Sequence, residues 1–208
     1  MSKRYNSINI FERIEILDDY IIKTAKSEDI EKIIDLIYST EPNPTYEWGY
    51  GSEIEQKEKL KKLLNLNNCR FKLDNILICK YNNEFCGILL SLGGKRIKKE
   101  TLIADLQLIQ YEKSICHKIL FTFNTFLYLF YKECSQNDYY ISNIALLKKF
   151  RGIGLSEKLL NAAYKLAKEE GYNRICLHAN NDKLVNYYKT LGFSLINSKT
   201  KKMTKDLL

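Results

Sequence analysis

Apolar and polar residues alternate, or recur at helical spacing, in separate stretches of this 208-residue chain. Tyr20 to Thr24 has the apolar content of a strand. Asn75 to Tyr81 and Glu84 to Leu92 flank the dipeptide Asn82-Asn83, a signal for a two-residue β-hairpin turn. Further strands are predicted from about Tyr139 to Leu147 and from Arg174 to Ala179. Phe193–Asn197 with Lys199–Leu207 should make a closing hairpin. Helical spacing appears at Ile30, Ile33, Ile34 and Ile37, behind a Ser27 cap with Glu28, Asp29 and Glu31 in the first turn. Ser52-x-x-Glu55 is a capping box and opens a second helix to about Asn67. Leu155, Leu159, Ala163, Leu166 and Ala167 define a third, which Gly171 stops. A short fourth helix follows Asn180-Asn181 and ends near Thr190.

Other stretches are less regular. Residues 1–19 carry Ile8, Ile10, Phe11, Ile14, Ile16 and Leu17 and read as an N-terminal arm, either a short helix or a docked segment. Thr40 to Gly51 holds both prolines with Tyr46, Trp48 and Tyr50; it is a lid packed on its own domain or the wall of a substrate site. Gly93-Gly94 should end the hairpin, and the run Lys95 to Lys99 should be a solvated turn. Thr101 to Tyr111 has no clean period and stays unassigned. Lys113 to Glu133 is a helix rich in Phe and Tyr, so it must bury more than one face. It covers the sheet, the preferred reading, or forms the interface of a homodimer. Its apolar run falls short of the about 20 residues a membrane span requires, so it is not an anchor.

Chemistry concentrates where the Tyr139–Leu147 strand meets the third helix, in Lys148-Lys149-Phe150-Arg151-Gly152-Ile153-Gly154-Leu155-Ser156. Two glycines at a helix start leave backbone N–H groups uncovered. Those groups, the helix dipole and Arg151 together favour an anion such as a pyrophosphate. The third glycine of a dinucleotide fingerprint is missing, and no Gly-Lys-Ser/Thr ends the turn as in a Walker A loop. What remains is Arg-x-x-Gly-x-Ser. Downstream stand Asn180-Asn181 and Tyr188-Lys189-Thr190-Leu191-Gly192-Phe193.

This pair of motifs resembles the signature of the GNAT superfamily of acetyl-CoA-dependent N-acetyltransferases, with Ser156 in place of the usual small Gly or Ala. The likeness is strong from Tyr140 to Phe193. It implies a mixed α/β fold: a twisted, largely antiparallel sheet with helices on both faces, whose fourth and fifth strands are parallel but splay apart. Residues 20–208 would form the domain, and about 95–135 would be a helical insertion before the fourth strand. Acetyl-CoA would be the cosubstrate, with no metal. Its pyrophosphate would lie on Arg151, Gly152, Ile153, Gly154, Leu155 and Ser156, and its pantetheine arm on the backbone of Ile144, Ala145 and Leu146 and on Asn181. Tyr188 would be the general acid for the departing thiolate, because a phenol is protonated at neutral pH. The strand carboxylate found in many relatives is replaced by Ser142 and Asn143, so the base stays open among Glu100, Asp105, Glu47 and water. The reaction implied is direct attack of a primary amine on the thioester; the alternative is a catalytically silent acetyl-CoA-binding regulator.

Composition narrows the partners. The excess of 33 Lys+Arg over 25 Asp+Glu gives a net charge of +8, which suits a ligand with several phosphates. No basic helix or known nucleic-acid module accompanies it, which argues against nucleic acid. The six cysteines show no Cys-x-x-Cys and no zinc spacing. Without a signal peptide, reduced thiols in the cytoplasm are expected. Cys79 and Cys86 would face each other across the hairpin as two buried small hydrophobes rather than a disulfide. His178, on an apolar strand, reads as a structural histidine.

Overall fold

In the computed structural model, which describes residues 14–17 and 20–207, the predicted strands assemble into one mixed sheet. In chain order the elements are β1 (Ile14–Leu17), β2 (Tyr20–Thr24), α1 (Ile30–Thr40), α2 (Pro44–Trp48), α3 (Glu53–Leu64), β3 (Ile76–Tyr81) and β4 (Glu84–Gly93). Then come α4 (Gly94–Tyr111), α5 (Ile115–Tyr128), β5 (Tyr139–Leu146), α6 (Leu155–Glu169), β6 (Arg174–His178), α7 (Asp182–Thr190), β7 (Ser194–Asn197) and β8 (Lys202–Asp206). The strand order is β1-β2-β3-β4-β5-β6-β8-β7, antiparallel except for the β5–β6 pair. Of the arm expected over residues 1–19, Ile14–Leu17 is strand β1, paired antiparallel with β2. Residues 1–13, 18 and 19 lie outside the described residues.

The period-two pattern places a core on each face of the sheet. Ile76, Ile78, Ile88 and Leu90 pack against α1 and α3, while Leu77, Cys79, Leu89 and Ile141 face α6. The hairpin turn forms as read: Asn82 and Asn83 adopt φ of 50° and 63°, the left-handed pair that a two-residue turn requires. The strand register then slips between Cys79 and Lys80, so Cys79 pairs with Gly87 rather than Cys86. The Cys86 thiol donates to the Cys79 carbonyl at 3.1 Å, and both cysteines are buried and free.

Other expectations need correction. Ser27 is not a cap: it begins a single 3-10 turn, and Asp29 accepts the Lys26 N–H before α1 starts. The Lys95–Lys99 run is no solvated turn. It is the start of α4, an 18-residue helix that buries Ile97, Thr101, Ala104 and Leu108 as a narrow stripe. Gly94 opens that helix because a Cβ there would sit 2.1 Å from the Ser135 carbonyl oxygen. The aromatic helix α5 does not cover the sheet. It buries Phe121 and Thr125 and packs on α4, leaving Ile119, Phe123 and Phe126 exposed. No described helix is long and apolar enough to cross a membrane.

Candidate functional site

The site begins at an irregularity in β5. Leu90 of β4 pairs with Asn143 and Ser91 with Ile141, so Ser142 is an extra residue opposite no partner. Such a bulge bends its strand and puts two consecutive side chains on one face. Tyr140 belongs to one core and Ile141 to the other, yet Ile144 is again on the Ile141 side. Ser142 and Asn143 therefore both point to the α1 face, where they line one cavity. At the same place β5 parts from β6. Their parallel pairing runs from Tyr139–Ile175 to Ile141–Leu177 and stops. Ile144, Ala145 and Leu146 still pair with β4, and their other edge opens on the resulting wedge.

Beyond β5, Phe150 is buried as an anchor and the chain turns through Gly152 and Gly154 at φ of 86° and 85°. Side chains strongly disfavour that conformation, and a Cβ at either position would meet no atom within 4 Å. Gly154 is the residue before α6, so the Gly152 to Ser156 amides lie at the positive end of a 15-residue helix. Among the described residues, none of these five amides donates to a backbone carbonyl. The arrangement fits a pyrophosphate. The Ser156 hydroxyl is 2.7 Å from the Tyr187 hydroxyl, which anchors the side chain. Ile153 and Arg151 are exposed, and Arg151 donates through Nε to the Leu146 carbonyl at 3.1 Å, fixing its base over the strand end.

Tyr188 lies inside the wedge, lining it with Ile141, Ser142, Ile144 and Leu177. Its ring packs on Phe193, and burial, with Tyr187 beside it, holds the phenol well above its ordinary pKa. Asn181 caps α7, accepting the Leu184 N–H at 2.9 Å. Its neighbour Asn180 lines the wedge and donates to the Thr40 carbonyl at 2.8 Å. Both His178 ring nitrogens lie at 2.9–3.1 Å from backbone carbonyls, of Glu133 and Thr200, in keeping with a structural role. Lys149 pairs with Glu84, so it is not a free cation beside the glycine turn.

The wedge communicates with a cavity of about 420 Å³, since Ser142, Asn143, His178 and Asn180 line both. Sequence reasoning missed the residue at its centre. Arg70, buried, donates to Ser142 Oγ at 2.5 Å and to Glu133 Oε1 at 3.3 Å, with Glu47 at 3.9 Å. Ser142 donates onward to Asn143 Oδ1, and Asn143 Nδ2 to Thr40 Oγ1, both at 2.7 Å. This chain of bonds joins the cavity to the end of α1. The Glu47 side chain keeps 26% of its surface accessible at the cavity. Desolvation nevertheless pushes its carboxyl up to about 7, against the pull of Arg70. Burial likewise raises Asp105 to about 6. Of the three carboxylates named from sequence, Glu47 and Asp105 line the cavity. Glu100 does not: it binds Asn75 and Arg96 instead.

An open glycine turn at a helix start, a strand pair split beside it and a buried phenol in the split thus lie together at one end of the sheet. The chain belongs to the acetyltransferase (GNAT) family, whose profile matches residues 33–193. Solved structures share the fold. An N-acetyltransferase from Staphylococcus aureus Mu50 is 22% identical, with 88% of this chain and 96% of that one aligned at a TM-score of 0.65. Another acetyltransferase is 21% identical over 90% and 99% of the two chains, also at 0.65. The Drosophila melanogaster polyamine N-acetyltransferase is 10% identical over 89% and 98%, at 0.56. No curated protein sequence matches significantly.

Proposed function

We propose that the protein moves the acetyl group of acetyl-CoA to a primary amine by direct attack. The observation that carries this reading is the open glycine turn with five unused amides, set at the mouth of a wedge that holds Tyr188. Acetyl-CoA supplies an acetyl group activated as a thioester. The Gly152 to Ser156 amides and Arg151 hold its pyrophosphate. The free edge of Ile144, Ala145 and Leu146 and the amide of Asn181 hold the pantetheine arm, and a β5 N–H donates to the thioester oxygen as its negative charge grows.

Glu47 is the base in this reading, since its carboxyl titrates near neutrality beside Ser142 and Arg70. It takes the proton that leaves the ammonium. The amine nitrogen bonds to the carbonyl carbon, the C–S bond breaks, and Tyr188 protonates the sulfur. Solvent then carries the Glu47 proton back to the Tyr188 phenolate and takes up the second proton that the nitrogen loses as the amide forms. Family membership and the amine N-acetyltransferase neighbours support this reading.

Calorimetric titration with acetyl-CoA, followed by thiol release against mixed amines, tests it. Binding with turnover is the expected result. Binding without turnover would instead favour the silent regulator. A Ser156→Arg variant, which fills the turn and breaks the bond to Tyr187, should fold but lose acetyl-CoA binding. Unchanged affinity would remove the glycine turn from the site.

A further inference from the structure

We propose that the acceptor is a short aliphatic diamine, its reacting amine at Ser142 and Asn143 and its second ammonium on Glu133 and Asp105. This rests on the acetyl-transfer reading above and names the acceptor class of the same site. The cavity holds four carboxylates, Glu41, Glu47, Asp105 and Glu133, and among its lining residues Arg70 is the one lysine or arginine. The Arg70 guanidinium bonds Glu133, Thr101 and Ser142 through its terminal nitrogens, while its buried Nε has no hydrogen-bond partner.

Glu133 supplies an independent observation. Its Oε1 accepts from Arg70 at 3.3 Å and from Tyr128 at 2.7 Å. Its Oε2, on a side chain only 9% exposed, has no hydrogen-bond partner. A buried carboxylate oxygen without a donor is costly, and an ammonium brought by the ligand removes that cost. A ligand carboxylate would meet unmatched negative charge instead. The walls agree: Tyr46, Tyr128, Tyr131 and Tyr140 present aromatic surface that suits methylenes and attracts a cation. Length follows from the geometry as well. One guanidinium spans from Ser142 to Glu133, so the two ends of the ligand lie a short aliphatic chain apart.

Three probes of matched length differ only in the far group: α,ω-diaminobutane, butylamine and γ-aminobutyrate. Each is titrated by calorimetry into protein saturated with CoA, then supplied as acceptor with acetyl-CoA. The diamine should bind and react roughly ten- to a hundredfold better than butylamine, the size of one charge-assisted hydrogen bond, with aminobutyrate poorest. Glu133→Gln should erase the margin between diamine and butylamine. Because that change also loosens Arg70, Asp105→Asn serves as the second variant and should narrow the same margin. Equal affinities for diamine and butylamine, no affinity for the diamine, or preference for aminobutyrate would overturn the proposal. The preceding CoA titration is read separately: failure to bind CoA counts against acetyl transfer itself, whereas CoA binding with equal amine affinities counts only against the diamine.

Discussion

Glu47 is a carboxyl group held near neutrality by opposing influences. Burial raises its pKa, Arg70 lowers it, and Glu41, Glu133 and Asp105 raise it further. As a base it must be ionised, so kcat/KM should climb with pH and level off above about 7. A Glu47→Gln variant should lose roughly a hundredfold in kcat together with that limb of the profile. An unchanged profile would transfer the role to Asp105 or to water. Stability carries the opposite sign. The folded state keeps the Glu47 proton to about 7 whereas the unfolded chain releases it near 4.5, so the wild type loses stability as pH rises between those values. Glu47→Gln should show a smaller loss, the remainder coming from Asp105, which is raised to about 6. At Tyr188 the expectation is simpler: Tyr188→Phe should bind acetyl-CoA as before and turn over at least about tenfold more slowly. An unchanged rate would reduce Tyr188 to packing. The placement of the glycine turn and of Tyr188 was readable in the sequence, because Arg151 to Ser156 and Tyr188 sit in local motifs. Arg70 and Glu133 were not, since their partners lie 63 and 72 positions apart along the chain and meet only through the fold.

Among the elements, those with local signals formed where expected. The capping box is one: Ser52 Oγ accepts the Glu55 N–H at 3.3 Å and Glu55 accepts the Ser52 N–H at 2.8 Å. The helix it starts carries Lys59, whose buried ion pair with Glu112 at 2.6 Å ties α3 to the end of α4. Ser52→Ala should therefore lower unfolding stability by about 1 kcal/mol, measured by denaturant titration, with acetyl-CoA affinity unchanged. Helix α4 was hidden by its own start. Gly93 and Gly94 look like breakers, yet Gly94 is there because the Ser135 carbonyl leaves no room for a side chain. The basic residues after it mask a narrow buried stripe. For α5 the expectation of deep burial followed from its apolar content alone, and content does not say which faces find a partner. Phe123 is 58% exposed.

Across the whole molecule, charge is segregated. A chain of net charge +8 encloses a cavity where four carboxylates surround one arginine. The net positive charge favours the approach of a polyphosphate, and the acidic cavity favours a cation, so the two proposed substrates would have separate electrostatic routes. Added salt should weaken acetyl-CoA association more than binding of the amine in its desolvated cavity, a contrast that titrations at two ionic strengths would reveal. The extra residue at Ser142 ties these scales together. Removing it would restore continuous β4–β5 register and, because Ser142 and Asn143 share a face, would leave every later side chain of β5 on its present side. Nothing would then bend β5 away from β6, and the seam could zip shut. A ΔSer142 protein should take up no acetyl-CoA, as calorimetric titration would show. The proposed site thus rests on a dislocation in its lattice of strands, and annealing that defect would close the opening it occupies.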